Sequence, residues 1–299
     1  MGRGLVFAAL LASACDARLG EPATQHDQPD ASGPRADSSS ANQPDAPLGM
    51  WGAATAINGA DEPTLNIDDC TLNSTETELY FKHPNGAGDD DLYVMTRMTA
   101  TDPWGTPAAV TALDSGNDEE SPRLSPDDLA IYFGRDGNIF KSTRGMVGGT
   151  WGPPAAVNEI NTGTYNKWLA VCDNDYFMVS RAVSRGMTSD QDLFVGHLDG
   201  VDPGTLAATI SATGYNEISA FLSKDCTTTY FASNRSGQTQ IYTATRATAT
   251  DPFGAPALVS DFGTATDNED LWVSTDQRLA VFASVRGTDT KKALYQSTR

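Results

Sequence analysis

The stretch from Glu119 to Arg144, EESPRLSPDDLAIYFGRDGNIFKSTR, decides the fold of this chain. It predicts three short strands at Pro122–Ser125, Leu129–Phe133 and Asn138–Thr143, because aromatic and β-branched residues fill these runs. Proline, aspartate and glycine fill the two intervening turns, where they supply fixed or left-handed backbone angles. The stretch is therefore typical of a small antiparallel sheet.

This pattern occurs five times along the chain. The second strand recurs as ELYFK (Glu78–Lys82), AIYFG (Ala130–Gly134), DYFMV (Asp175–Val179), TTYFA (Thr228–Ala232) and AVFAS (Ala280–Ser284). The third strand recurs as DLYVMTR, NIFKSTR, DLFVGHL, QIYTATR and ALYQSTR. Short strands that repeat at a period of about 50 residues predict an all-β fold, a five-bladed β-propeller.

A fourth strand follows three of these units, at Trp104–Val110, Trp151–Val157 and Phe253–Val259. A similar segment, WGAATAI (Trp51–Ile57), stands before the first unit, whereas the fifth unit ends at Arg299 without one. We therefore expect residues 51–57 to complete the last blade. Such circular closure by the N-terminal strand leaves no open seam between the first and last blades.

The first residues predict export. Arg3 precedes the small and apolar run Gly4–Ala14, which is about half as long as the ~20 residues of a membrane span. The run resembles a bacterial lipoprotein signal, which implies a lipid on Cys15, although Ala12-Ser13-Ala14 is equally a site for ordinary signal peptidase. The expected domains are a signal peptide (1–14), a disordered tether rich in Pro, Ser and Asp (15–47) and the propeller (48–299). The expected location is the periplasm, the outer membrane or the cell surface.

The segments SPRLSPDDLAIYF and SAFLSKDCTTTYFASNRSGQTQIYTATR resemble the TolB-like, WD-like (PD-type) β-propeller repeat of bacterial envelope proteins. The resemblance covers Trp51 to Arg299 and implies the propeller fold, but almost nothing about function. The chain departs from the family pattern where Asp128, Cys226 or Arg278 replaces the glycine of the first turn.

Composition excludes some partners and cofactors. The formal charge of −19 disfavours nucleic acid, because such a field repels phosphate backbones. The three histidines, His26, His83 and His197, lack the spacing of metal ligands, and we find no P-loop, G-x-G-x-x-G or G-x-S-x-G motif. We therefore expect no cofactor. The run Asp89-Asp90-Asp91 is a candidate for Ca²⁺, with a solvated turn as the alternative.

The cysteines suggest one disulfide. Once Cys15 carries lipid, Cys70, Cys172 and Cys226 remain, so at least one thiol stays free or pairs with another molecule. Cys172 and Cys226 fall near the first turns of adjacent blades and form the candidate intramolecular pair.

One face of the propeller is the predicted binding face, because the loops before the first strand and those between the second and third strands share a side. Acids near the channel mouth include Glu119, Glu120 and Asp270. The candidate binding residues are Tyr165, Trp168, Arg181, Tyr215, Glu217, Arg235, Glu269 and Arg286. The irregular aromatics suggest sugar rings, whereas pairing of acids with arginines between neighbouring blades is the structural alternative.

Three classes of function follow. The favoured one is a non-catalytic binding or scaffold lipoprotein that recognises an envelope protein or a glycan and touches the membrane only through its N-terminal lipid. The first alternative is a glycoside hydrolase or lyase, which needs paired Asp or Glu residues. It is disfavoured here because the acids follow the repeat. The second alternative is a structural envelope protein without a small ligand.

Overall fold

The computed structural model describes residues 48–162, 164–182, 190–263 and 265–299, which form five antiparallel four-stranded sheets. They are the blades of a five-bladed β-propeller, as the sequence predicts. The expected signal peptide, the lipid on Cys15 and the tether lie outside the described residues. Within the described part, two single-turn 3₁₀ helices, Asp173–Asp175 and Ser260–Phe262, are the only helices, and neither has the length or hydropathy to span a membrane.

Each blade takes its strands from four positions, counted outward from the central channel. The first strands are β2 (Asp68–Leu72), β6 (Glu119–Leu124), β10 (Asn166–Val171), β14 (Glu217–Leu222) and β18 (Asp267–Val273). The second strands are β3 (Glu78–Pro84), β7 (Ala130–Arg135), β11 (Tyr176–Ala182), β15 (Thr228–Ser233) and β19 (Leu279–Val285). The third strands are β4 (Asp90–Thr96), β8 (Asn138–Thr143), β12 (Gln191–His197), β16 (Gln240–Thr245) and β20 (Ala293–Thr298). The outer strands are β5 (Ala108–Ala109), β9 (Ala155–Ala156), β13 (Thr205–Leu206), β17 (Ala257–Leu258) and, in the last blade, β1 (Thr55–Ala56).

The core is built from the second strands, each of which has a fully buried phenylalanine. These strands are apolar and buried along most of their length. The phenylalanines are Phe81, Phe133, Phe177, Phe231 and Phe282. Full burial of such a side chain contributes about 1.5–3 kcal/mol. In four blades the phenylalanine lies opposite an aromatic residue of the third strand, whereas in blade three Val179 takes that position and Phe177 lies opposite Gly196.

The two chain ends together build the last blade. Strand β1 pairs with β20, with Thr55 opposite Gln296, and the Gly52 N–H donates to the Thr298 carbonyl at 2.9 Å. The Arg299 guanidinium lies 4.1 Å from the centre of the Trp51 ring. The same arginine–aromatic contact recurs in three other blades, as Arg97–Trp104, Arg144–Trp151 and Arg246–Phe253. Trp51 therefore occupies the position of a fourth-strand aromatic, and circular closure is confirmed.

The first strands differ from the sequence prediction. Strand β6 begins at Glu119 rather than Pro122, and the pairing register shifts at the same place in all five first strands. At each shift a residue other than glycine has a left-handed φ of 51 to 58°: Asp69, Ser121, Trp168, Ser219 and Asp270. Such a conformation costs of order 1–3 kcal/mol, and bulges of this kind redirect a side chain. We call these five residues the bulge positions.

A disulfide joins the third and fourth blades. Cys172 follows β10 and Cys226 lies in the turn between β14 and β15, with Cα atoms 5.4 Å apart. This confirms the pair expected from the sequence. Cys70 is buried and free.

Removing the closing strand should destabilise the propeller. A chain that begins at Asn58 lacks β1 and the buried Trp51 and Ile57. Because loss of a buried Trp alone typically costs about 3–5 kcal/mol, we expect the free energy of unfolding to fall by at least that amount. Urea denaturation should show this against a chain that begins at Leu48 and keeps the strand. Equal unfolding midpoints for the two chains would contradict closure through β1.

Candidate functional site

The two ends of the central channel differ in chemistry. At one end, the turns after the first strands enclose a cavity of about 400 Å³. Its walls include an aliphatic ring of Leu72, Leu124, Val171, Leu222 and Val273. The carboxylates beside this cavity are already bonded to hydroxyl groups, as Asp128 is to Ser74 and Asp225 to Ser223, both at 2.6 Å. This end resembles an apolar recess rather than a site of acid–base chemistry.

The other end gathers buried charges from blades one, two, three and five. The residues are Asp68, Asp69, Glu120, Glu269, Asp270, Lys82, Lys167 and Lys292, which we call the central charged cluster. Lys167 lies 2.6 Å from Glu120 and 3.5 Å from Asp69. Lys292 contacts Glu269 and lies 3.5 Å from Asp68. The lysines therefore join carboxylates that belong to different blades.

The centre of the cluster is a pair of aspartates at two bulge positions. The Trp168 indole N–H, at a third bulge position, is 2.6 Å from Asp69 Oδ1 and 3.0 Å from Asp270 Oδ1. The Asp69 backbone N–H donates to Asp270 Oδ2 at 3.0 Å. All three side chains are buried. The bulges of blades one, three and five thus bring these three groups together at the channel axis.

The two aspartates have opposite pKa shifts. Burial raises the pKa of Asp270 well above its usual range, and the neighbouring Asp69 and Glu269 carboxylates raise it further. Burial also raises the pKa of Asp69, but Lys167, Lys82 and the Trp168 N–H outweigh it, and the net pKa is well below the usual range. Asp270 therefore tends to hold a proton while Asp69 stays a carboxylate.

Glu269 lies next to this pair, is buried and contacts Lys292. Burial raises its pKa, Lys292 lowers it and Asp68 raises it again, with a net value of about 7. Its partner Lys292 has a side chain that is 21% exposed. Glu269 is thus an acid that titrates near neutral pH at the mouth of the cluster.

Arg123 closes the channel next to the aspartates. Its Nη1 donates to the Cys70 carbonyl at 2.7 Å and its Nε to the Ala220 carbonyl at 3.2 Å. It therefore links blades one, two and four, and its charge lowers the pKa of both Asp69 and Asp270 among the smaller effects.

Four of the predicted binding residues belong to contacts that repeat around the propeller. Arg235 pairs with Glu217 at 2.8 Å, Arg181 donates to Asn166 at 2.8 Å, and Arg286 donates to Asn268 at 3.1 Å. Each of these arginines also donates to a backbone carbonyl before the first strand of its blade, from Ile160, Ile210 or Phe262. Each pair lies within its own blade, whereas the structural alternative in the sequence analysis had such pairs between neighbouring blades.

The other predicted residues divide between the cluster and the surface. Tyr165 donates to Glu120 Oε1 at 2.7 Å, and Trp168 and Glu269 lie in or beside the cluster. Tyr215 is 42% exposed and lies apart from these contacts. The pairing of Asp69 with Asp270 was not predicted. An alignment of the first strands carries one signal of it, since Asp, Trp and Asp stand where the other two blades have Ser, but it does not show that these residues touch.

Several known proteins have structures similar to that of this chain. An α-L-arabinofuranosidase from Podospora anserina, PaAbf62A, has a similar structure, with a TM-score of 0.55 and 11% identity over 84% of this chain and 96% of that one. An endo-arabinase from Bacteroides thetaiotaomicron matches with a TM-score of 0.55 and 12% identity over 82% of this chain and 97% of that one. TolB from Acinetobacter baumannii has a TM-score of 0.48 and 14% identity, over 74% of this chain and 50% of that one.

No protein-family model matches the chain, and no curated protein is similar to it in sequence. The likeness to the arabinofuranosidase and the endo-arabinase is one of fold, a five-bladed β-propeller. The finer resemblance to a TolB-like repeat family stays a prediction.

The expectation of a non-catalytic binding protein was wrong. Several glycoside hydrolases share this fold, so the fold is one that also carries the enzyme alternative. That expectation rested on acids that follow the repeat, and Glu119 and Glu217 do so. Asp69 and Asp270 instead occupy positions where other blades have Ser or Trp, so the central acids depart from the repeat.

A carboxyl pair at the seam of blades three and four gives a pH prediction. Burial and the adjacent Glu217 raise the pKa of Asp192 to about 6, above the ~3.9 of an unfolded aspartate. The folded state therefore binds more protons between these values. The stability that Asp192 contributes is fully present below pH ~3.9 and is lost as the pH rises through 6.

We expect Asp192→Asn to match the wild type in stability at pH 4 and to exceed it at pH 8 by less than about 1 kcal/mol, because solvent screens this partly exposed pair. Urea unfolding at both pH values measures the difference. Asp225→Asn is the control with the opposite sign, because a hydrogen bond from Ser223 lowers the pKa of Asp225. A stability difference for Asp192→Asn that does not change with pH would contradict the assignment.

Proposed function

We propose that this chain is a glycoside hydrolase whose catalytic residues are Asp69 and Asp270. The observation that carries the proposal is the contact of both carboxyl groups with one indole N–H, in surroundings that move their pKa values in opposite directions. Two neighbouring acids with separated pKa values are what acid–base catalysis requires. Five-bladed structural neighbours that are glycoside hydrolases support the same activity.

Each aspartate has a role in this proposal. Cleavage of a glycosidic bond needs a carboxylic acid to protonate the leaving oxygen and a carboxylate on the sugar carbon or on a water molecule. Asp270, which holds its proton, is the acid, and Asp69 is the carboxylate. Trp168 orients both groups, while Lys167 keeps Asp69 ionised.

The distance between the two carboxyl groups favours one stereochemical outcome. Because both Oδ1 atoms contact the same nitrogen, at 2.6 and 3.0 Å, they cannot be further apart than these two bonds laid end to end. They are therefore closer than the ~6.5–9.5 Å that admits a water in inverting enzymes, and the ~5–5.5 Å of retaining enzymes is the nearer of the two geometries. Asp69 would then attack the anomeric carbon directly, Asp270 would protonate the departing oxygen, and water would release the sugar with its configuration retained.

The lysines control access to the pair. Asp69 and Asp270 are buried, and Lys82, Lys167 and Lys292 lie over them with side chains that are 10, 13 and 21% exposed. A sugar reaches the aspartates when Lys292, the most exposed of the three lysines, swings toward solvent, while Lys167 stays beside Asp69. The names of the neighbours, an arabinofuranosidase and an endo-arabinase, make arabinose-containing glycans the first substrates to test.

The test is hydrolysis of a panel of nitrophenyl glycosides that includes the α-L-arabinofuranoside, together with arabinan and arabinoxylan. We expect kcat/KM to fall by about 10²–10⁴-fold in Asp69→Asn and in Asp270→Asn, because each removes one partner in proton or carboxylate chemistry. Asp225→Asn, at the opposite end of the channel, should keep full activity. Absence of turnover by the wild type on the whole panel, or unchanged turnover in Asp69→Asn, would contradict the proposal.

We also propose that the protein is exported and anchored through a lipid on Cys15. The disulfide between Cys172 and Cys226 supports export, because such bonds persist in oxidising compartments. Labelling with a radioactive fatty acid should mark the wild type, and Cys15→Ala should abolish the label and move the protein to the soluble fraction. A wild type without label in the soluble fraction would indicate ordinary signal peptidase cleavage instead.

A further inference from the structure

Polar side chains meet where the third strand of one blade begins beside the first strand of the next. Between blades four and five two amides meet, because Asn268 donates to Gln240 Oε1 at 2.8 Å. Between blades three and four two carboxyl groups, Asp192 and Glu217, lie together and share a hydrogen bond. The seam between blades one and two departs from both arrangements.

Three carboxylates converge at that seam. Asp91 lies at the start of β4, Glu119 begins β6, and Asp114 lies in the loop before β6. One oxygen from each of the three lies within 4.8 Å of the others. Asp91 and Glu119 are buried, and Asp114 is exposed. The seam therefore has one more carboxylate than its counterpart between blades three and four.

One oxygen of the Asp91 carboxylate lacks a partner, although Asn85 donates a hydrogen bond to the group. Its residue is 8% exposed, and its buried Oδ1 accepts no hydrogen bond. A buried carboxylate oxygen without a partner is costly, so native structures pair such atoms or let them bind a cation. Glu119 is different, because Arg135 contacts it at 2.6 Å and the Ser115 N–H at 3.1 Å.

The surroundings of Asp91 are strongly negative. Burial raises its pKa, a hydrogen bond from Asn85 lowers it, and the carboxylates of Asp114, Asp89 and Asp90 raise it again, so that the net shift is upward. The positive charge among the described contacts of this trio is Arg135, which pairs with Glu119. Lys82, the cation nearest to the Asp89-Asp90-Asp91 run, lies 3.2 Å from Asp90 and 3.0 Å from Asp68. Among the described residues, no ion pair joins a lysine or arginine to Asp91 or Asp114.

We propose that Asp91, Asp114 and Glu119 form a Ca²⁺ site at the seam of blades one and two. Calcium takes six to eight oxygen ligands at about 2.3–2.6 Å, so ligands on opposite sides of the ion lie ~5 Å apart, which the spacing of the trio matches. The exposed Asp114 leaves one side open for water ligands. Mg²⁺ fits less well, because it demands a near-ideal octahedron at ~2.0–2.1 Å and gives up its water reluctantly.

This site differs from the calcium candidate in the sequence, the run Asp89-Asp90-Asp91. Asp90 faces Lys82 rather than an ion, and of the three only Asp91 belongs to the described trio. Bound calcium would join β4 of blade one to β6 of blade two. The site is independent of Asp69 and Asp270, so its function is to hold the seam and not to take part in catalysis.

The test is isothermal titration of the EDTA-treated full chain with CaCl₂ and with MgCl₂, together with the melting temperature at millimolar Ca²⁺. We expect one Ca²⁺ to bind per chain and to raise the melting temperature, because a ligand that binds only the folded state stabilises it. Asp114→Asn alters an exposed side chain and should fold normally, and it should weaken binding by about tenfold or more. Asp91→Asn should remove both the binding heat and the shift in melting temperature.

Asp192→Asn is the matched control, because it makes the same change at the equivalent seam of blades three and four and should leave Ca²⁺ binding intact. The proposal is overturned if the wild type binds no Ca²⁺. It is also overturned if Asp91→Asn and Asp114→Asn bind Ca²⁺ as well as the wild type does, since the ion would then lie elsewhere, for example at Asp68, Glu269 and Asp270.

Discussion

The contact of one indole N–H with two aspartates is the interaction on which the centre of this propeller depends. Trp168, Asp69 and Asp270 come from blades three, one and five, and they meet only because each lies at a left-handed bulge. Burial of two adjacent carboxyl groups is costly, and the structure offsets this cost with the indole N–H, the Asp69 backbone N–H and nearby cations. The same arrangement gives the two acids different protonation states.

The repeat and the site have separate sources in the sequence. The scaffold is built from features that recur in most blades: a buried phenylalanine opposite a third-strand aromatic, an arginine–aromatic contact and an arginine bonded near the start of the first strand. The charged cluster arises where individual blades depart from that pattern. Blade one has Asp69 and blade five Asp270 at positions where blades two and four have Ser121 and Ser219. A regular fold thus holds an irregular set of reactive groups at its axis.

The sequence predicted the scaffold well because its signals are local. The Trp51 segment could be assigned to the last blade because it copies the strands at Trp104 and Trp151, and the structure pairs it with β20. Cys172 and Cys226 could be paired because equivalent turns of adjacent blades lie side by side. These predictions needed only the repeat and its spacing.

The site could not be predicted in the same way. A bulge changes which side chains face the channel, and no residue in the EESPRL segment shows that Ser121 adopts a left-handed φ. Asp69, Trp168 and Asp270 are distant in sequence, and their contact depends on how the blades are arranged around the axis. For the same reason Arg181, Arg235 and Arg286 were predicted to belong to a binding face. Each of them is instead hydrogen-bonded within its own blade. Glu119 and Glu217 occupy equivalent positions in their blades, and this made all the acids of the predicted face appear to belong to the repeat.

The most direct test of the central claim is the protonation state of the two aspartates. Carboxyl ¹³C NMR of protein labelled at aspartate, with Asp69→Asn and Asp270→Asn used to assign the two signals, follows each group through a pH titration. The account predicts that Asp69 stays ionised well below the usual aspartate range and that Asp270 keeps its proton well above it. Two signals that both titrate near the ordinary value of about 3.9 would contradict it.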